Sequence, residues 1–253
     1  MTSARYLFPS LVLLAAFLAT WEGYVALTDV SSLVLPAPSD VLNGLWVERY
    51  VIARHTLATL GVALVGFSLS VIFAFVVSIL LHFSGWLRRG MMPLLVASQT
   101  VPIVALAPLM VLWFGFGLLP KVLLVILVTF FPMVVSLTFG YASLPRAFRD
   151  QLVSMGATRW VIFRRAALPS ARAHFFSGLR ISATYAIVAT IFAEYAGARR
   201  GLGIYILAAK NNFRADLVLS AVLVSACLTL VLLTVIKGIE RMTSRRHRRE
   251  NNA

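Results

Sequence analysis

The segment SLPRAFRDQLVSMGATRWVIFRRAALP, residues 143–169, sets the reading of this chain. It is the one long polar stretch framed by apolar runs on both sides. It is also strongly basic, with Arg146, Arg149, Arg159, Arg164 and Arg165 against the lone acid Asp150. Phe148, Leu152 and Met155 recur at i, i+4, i+7, the spacing that puts three side chains on one helix face. Gly156 stands where that helix would end, and glycine takes a left-handed helix terminus without a Cβ penalty. A second helical pattern follows, with Trp160, Phe163 and Ala167 on one face and Arg164 and Arg165 beside it. Pro169 is expected to stop it. The segment reads as helix, glycine turn, helix, lying outside a membrane and offering apolar knobs and arginines to something else. The alternative is an ordinary solvated basic loop.

Outward from this loop the chain is apolar. Only 13% of its 253 residues are charged, against about 25% in soluble domains, and the mean hydropathy is +0.89. The net charge of +14 does not mark a nucleic-acid-binding domain, because the basic residues lie between and after apolar runs. Four of these runs are uncharged between His55 and Arg88, Gly90 and Pro120, Val122 and Leu144, and Leu217 and Ile236. Each is long enough to span a bilayer. A fifth, about residues 174–197, needs Arg180 to reach back to the interface. An N-terminal run at about residues 6–27 is read as a first membrane helix rather than a cleaved signal, since no small-x-small site follows it. Between these, Ser39 is a candidate N-cap for a short amphipathic helix. The expectation is an all-α, polytopic membrane protein of six transmembrane helices. It forms one domain over residues 1–253, with a core at about 55–240 and the polar loop at about 143–170.

The third run is not a plain helix. Pro93, Pro102 and Pro108 interrupt it, and Ser98, Gln99 and Thr100 place polar groups among apolar ones. Broken backbone at membrane depth is tolerated where it packs in protein or lines a cavity. These three residues are therefore candidates for a solute pathway, with tight helix packing as the alternative. Glu194 is a further pathway candidate; the preferred reading puts it at an outer interface near Arg199 and Arg200. The glycine-rich stretch around Gly201–Leu202–Gly203 follows no strand and is read as a turn, not a phosphate loop.

Orientation follows from charge. With both termini inside, sixteen of the 23 Lys and Arg fall on the inner side, from Arg5 through the 143–170 loop to the tail after Lys237. The other seven fall outside, and positive residues prefer the cytoplasm. The four histidines are scattered, the single Cys227 permits no intramolecular disulfide, and no metal or catalytic constellation is evident. His82 is read as a core or interfacial group. Lys121, Lys210 and Lys237 follow Pro120, Ala209 and Ile236, so no lysine follows a glycine as a P-loop requires. A stand-alone transporter or channel is the rival reading, but acids in spans, its usual mark, are confined to Glu22 and Glu194 near the outer ends.

The loop resembles the cytoplasmic motif of ABC importer permeases, which runs E-A-A, three residues, G, nine residues, I-x-L-P. Gly156, Leu168 and Pro169 match it, Asp150 stands for the glutamate, Gln151 and Leu152 replace the alanines, and Ala166 replaces the isoleucine. VPIVALAPLMVLWFGFG, residues 101–117, and LVLPAPSDVLNGLW, residues 33–46, are similar to segments of the nitrate, sulfonate and taurine branch. The resemblance covers about residues 33–241 and implies a type I (MetI-like) permease fold in a bacterial cytoplasmic membrane. It implies no enzyme activity and no cofactor bound by this chain, ATP being used by a partner. It also implies two ATP-binding subunits, a second permease copy in a homodimer, an extracytoplasmic solute-binding protein and surrounding lipid as partners. Asp150, Gly156, Trp160, Phe163, Leu168 and Pro169 become the ATPase-coupling residues. The solute it implies is a nitrate-, sulfonate- or taurine-like anion, a bicarbonate-like anion or a thiamine pyrimidine precursor.

Overall fold

The computed structural model describes residues 3–28 and 30–250, and the side chains of 8–28 and 30–243. The side chains of Arg5, Arg245, Arg246, Arg248 and Arg249, counted in the charge argument, lie outside the described residues. The regular structure is helical: α1 (Ser3–Thr28), α2 (Pro38–Val47), α3 (Arg49–Phe83), α4 (Gly85–Ser98), α5 (Ile103–Phe114) and α6 (Leu119–Ala142). The chain continues through α7 (Arg146–Ser154), α8 (Arg159–Ile162), a π-helical turn (Phe163–Ala167), α9 (Leu168–Ser170), α10 (Arg172–Tyr195), α11 (Leu202–Asn211) and α12 (Ala215–Glu250). Helices are what apolar runs of this length can form, because lipid offers the backbone no hydrogen-bond partner. Among the described residues five helices are long and apolar enough to cross a membrane. A sixth crossing results if α4 and α5 are one span, bent by 103°.

The centre of the molecule is α3, α6 and α10. Val125, Met133, Val134, Ala183 and Ala186 are buried among them. Hydroxyls join these helices where lipid-like surroundings provide little other driving force. Ser182 donates to the Thr129 carbonyl at 2.7 Å, Ser136 to the His174 carbonyl at 2.6 Å, and Ser70 to the Ile126 carbonyl at 3.3 Å. At 35 residues, α3 is about 52 Å long. That is longer than a hydrocarbon core of about 30 Å.

Several expectations are corrected. The helix expected after Ser39 begins at Pro38, with Ala37 as its N-cap residue. Asp40 accepts from the Ala37 N–H, and Glu22 on α1 accepts from the backbone and hydroxyl of Ser39. Glu22 is thus a link between α1 and α2. None of the crossing stretch of α1 is otherwise buried. Arg180 does not simply reach for the interface: it ion-pairs with Glu240 on α12. Pro169 does not end its helix. The Leu168 N–H bonds to the Phe163 carbonyl, one residue further back than in an α-helix. That widened turn precedes the position where proline has no N–H to give, and helix resumes into α10. Cys227 sits in α12 as expected, but exposed.

Candidate functional site

Three places carry the sequence candidates. The first is the loop. Helix α7 closes as read: the Ala157 N–H bonds to the Leu152 carbonyl at 3.0 Å and the Gly156 N–H to the Val153 carbonyl at 2.9 Å. This paired closure needs a left-handed residue, and Gly156 has φ +81°. Thr158 then caps α8 by accepting from the Val161 N–H. Phe148 (48% exposed), Val153, Met155 (76%) and Trp160 (55%) leave apolar surface uncovered. Phe163 does not belong with them. It is 2% exposed, and its ring lies 4.9–5.3 Å from those of His82, Phe83 and Tyr141. Phe163 keeps the face that its spacing gives it, its ring 5.7 Å from that of Trp160, but its side of that face packs on the ends of α3 and α6, so the expected apolar knob is part of the protein's own core. Trp160 bridges the two settings, stacked on Phe83 at 5.8 Å while its outer side stays open. Asp150 and Pro169 are exposed and Leu168 is half-buried against the core.

The second place is the break between α4 and α5. Ser98 and Gln99 line a cavity of about 250 Å³ with Leu127, Phe131 and Pro132 of α6 and Tyr185 of α10. Thr100 is not on this wall. The Ser98 and Thr100 hydroxyls donate at 2.8 and 2.7 Å to the Leu95 and Ala97 carbonyls, satisfying backbone groups at the bend. Gln99 is exposed there.

The third place is Glu194, which does not sit at the exposed outer interface expected for it. Its side chain is fully buried, away from solvent. It forms no ion pair with Arg199 or Arg200; the ion pairs among the described residues join other groups. Instead the Thr59 hydroxyl lies 2.9 and 3.0 Å from its two carboxylate oxygens, and the Gly203 N–H donates to Oε2 at 2.8 Å. Thr59 in turn accepts from the Leu202 N–H at 2.7 Å. The carboxylate thus serves the N-terminus of α11, where backbone donors lack helical partners, and ties it to α3 and α10. His55 completes the set, with Nδ1 2.8 Å from the Gly201 carbonyl and 3.0 Å from its N–H. Any Cβ on Gly201 (φ +136°) would fall on the Glu194 carboxylate, and one on Gly203 would meet the Ile191 carbonyl. The G-x-G spacing behind a helix-terminal glutamate was the available signal, together with Thr59 at helical spacing from His55.

A family model described as the binding-protein-dependent transport system inner membrane component matches residues 66–249. The riboflavin transport system permease protein of Chloroflexus aurantiacus is 35% identical over 246 residues, covering 95% of this chain and 92% of its own. The formylaminopyrimidine transport permease protein of Halalkalibacterium halodurans is 33% identical, covering 83% and 84%. The taurine transport system permease protein of Escherichia coli is 30% identical, covering 90% and 86%. Among solved structures, an inward-facing methionine ABC transporter chain aligns with a TM-score of 0.68 at 17% identity, covering 77% of this chain and 97% of that one. That last likeness is one of fold alone.

Proposed function

The chain belongs to the family of binding-protein-dependent transport system inner membrane components, and on that premise we propose that it forms the translocation pathway of an ATP-driven importer of a small, neutral, ring-containing solute. It is a transport subunit, not an enzyme, and a multi-pass membrane protein. The observation that carries the solute reading is the cavity at the α4–α5 break. Its walls are aromatic, aliphatic and amide, with no Lys or Arg among the lining residues. An anion moved from water into such a site would be unpaired and costly, whereas a heterocycle can stack on Phe131 and Tyr185 and meet the Gln99 amide. The riboflavin and formylaminopyrimidine relatives support this class over nitrate or sulfonate. A second reading, an anionic solute, is favoured by the taurine relative and by one feature of the structure. Lys121, Arg199 and Arg200 ring a cleft of about 900 Å³ at the opposite end from the 143–170 loop.

In the proposed assembly two copies of this chain meet two ATP-binding subunits and an extracytoplasmic solute-binding protein. Both termini and the 143–170 loop face the cytoplasm, consistent with the excess of Lys and Arg on that side. ATP is bound and hydrolysed by the partner. Closure of the ATPase pair moves α7 and α8 through their exposed apolar residues. Phe163, locked among His82, Phe83 and Tyr141, passes that motion to the ends of α3 and α6.

The test is reconstitution in liposomes with the partner ATPase and the solute-binding protein. ATP hydrolysis should be stimulated by the binding protein carrying a neutral pyrimidine or flavin-like ring and not by taurine, alkanesulfonate or nitrate. Stimulation by the anions alone would select the second reading. ATP-driven uptake by this chain without an ATPase would reject both.

A further inference from the structure

A concavity at the loop end of the molecule is not accounted for by the transport pathway. It measures about 950 Å³ and lies between the ends of α3 and α6 and the inner side of α7 and α8. Arg88, Arg146, Arg149 and Arg159 converge on it from α4, α7 and α8, over a floor that includes His82, Phe83 and Tyr141. None of the four arginines has a carboxylate partner within ion-pair distance among the described residues. Four guanidinium groups around one hollow repel each other unless an anion sits between them, and guanidinium matches phosphate geometry best.

Helix α7 separates this hollow from the surface assigned to the ATPase. Arg146, Arg149 and Val153, at i, i+3 and i+7, share the face that lines the hollow. Phe148, Leu152 and Met155 share a face well over a quarter-turn away. The hollow is walled by the ends of spanning helices, so it sits at the depth of the lipid headgroups. A lone inorganic anion would fill little of it, whereas a phosphate headgroup with its glycerol would occupy both its basic rim and its aromatic floor.

We propose that this basic hollow holds the phosphate headgroup of an anionic phospholipid of the cytoplasmic leaflet, wedged between the span ends and α7. The leaflet rests on the orientation proposed above; the pocket chemistry does not. A lipid there would support α7 from below while its apolar face engages the ATPase.

The experiment uses the full permease–ATPase complex in phosphatidylcholine nanodiscs with and without phosphatidylglycerol, followed by mass spectrometry of the lipid retained after detergent extraction. Phosphatidylglycerol should be retained in preference to phosphatidylcholine. Arg88→Gln/Arg149→Gln should weaken retention about thirtyfold, from about 1 kcal/mol per basic residue facing an anionic surface. Arg146→Gln/Arg159→Gln, on α7 and α8, should do the same and guards against misfolding of either pair alone. Equal retention of the two lipids, or unchanged retention in both variants, would overturn the proposal. Thermal stabilisation of the lipid-poor complex by inorganic phosphate alone, lost in the variants, would reassign the hollow to a soluble anion. Loss of the ATPase from the variants in pure phosphatidylcholine would assign the arginines to that subunit instead. An orientation error would show separately, as labelling of a Ser154→Cys variant by an impermeant thiol reagent in intact cells.

Discussion

The two ends of α3 are finished in opposite ways. Toward its start, Thr59 joins Glu194, Leu202 and Gly203 in a buried set of hydrogen bonds made wholly by this chain. Toward its end, about 35 Å away by helix rise, Phe163 packs on His82 but hands over to Trp160, Met155 and Phe148, which the described residues leave about half exposed or more. One end is closed by its own side chains; the other stops with apolar surface and with arginines that have no ion-pair partner among the described residues. An end that buries a carboxylate and satisfies it is built to hold still. An end that leaves amphipathic helices open is built to be completed by another subunit.

The sharpest way to break this contrast is to crowd the closed end. Gly201→Val forces a β-branched residue to φ +136° and puts its Cβ on the Glu194 carboxylate. The outcome expected is little or no folded permease in the membrane, read by detergent-extracted yield and size-exclusion profile. Normal yield would mean that the α11 end is far softer than its contacts indicate.

Next in size is Glu194→Leu. It leaves the Gly203 N–H and the Thr59 hydroxyl without their acceptor, at about 1–3 kcal/mol each. A fall in thermal midpoint of the purified complex should follow, with Glu194→Gln falling less because its amide oxygen still accepts. Equal, negligible shifts in both variants would return Glu194 to an exposed interface.

The aromatic pair at the other end separates core from contact. Phe163→Ala should lower stability by about 3–5 kcal/mol, the cost of a buried aromatic deletion. Trp160→Ala should lower stability less and ATPase retention more. If the two variants behave alike in both assays, the division between buried and offered aromatics fails.

The smallest stability effect belongs to Gln99→Leu, at the exposed bend between α4 and α5. Yield and ATPase retention should match wild type while the uptake KM rises. Unchanged uptake kinetics would leave the bend as a packing device.

Much of this was legible in the chain itself, because lipid simplifies the code. Uncharged runs became helices, and prolines beside Ser98 and Gln99 became a 103° bend. Gly156 was readable because α7 has a clear face and its terminus needs a left-handed residue. Glu194 was misread because burial of a carboxylate depends on partners distant in sequence, Thr59 and Gly203, that no local period reveals. Phe163 was misread for the same reason: its period with Trp160 holds, but it is buried by His82, Phe83 and Tyr141, which belong to other helices. The Arg180–Glu240 pair was invisible for that reason too, its members being sixty positions apart.

The central claim, that α7 and α8 form the surface by which an ATPase drives this permease, is tested most directly by Gly156→Val. At φ +81° a β-branched residue is strained by about 1–2 kcal/mol, but nothing lies within 4 Å of the added Cβ. The substitution therefore disturbs the turn without crowding the fold. Membrane level and thermal stability of the permease, co-purification of the ATPase and solute uptake would be measured on the same preparation. The account predicts a permease at normal level that no longer holds its ATPase and no longer transports. Normal ATPase retention and normal uptake at normal protein level would contradict it.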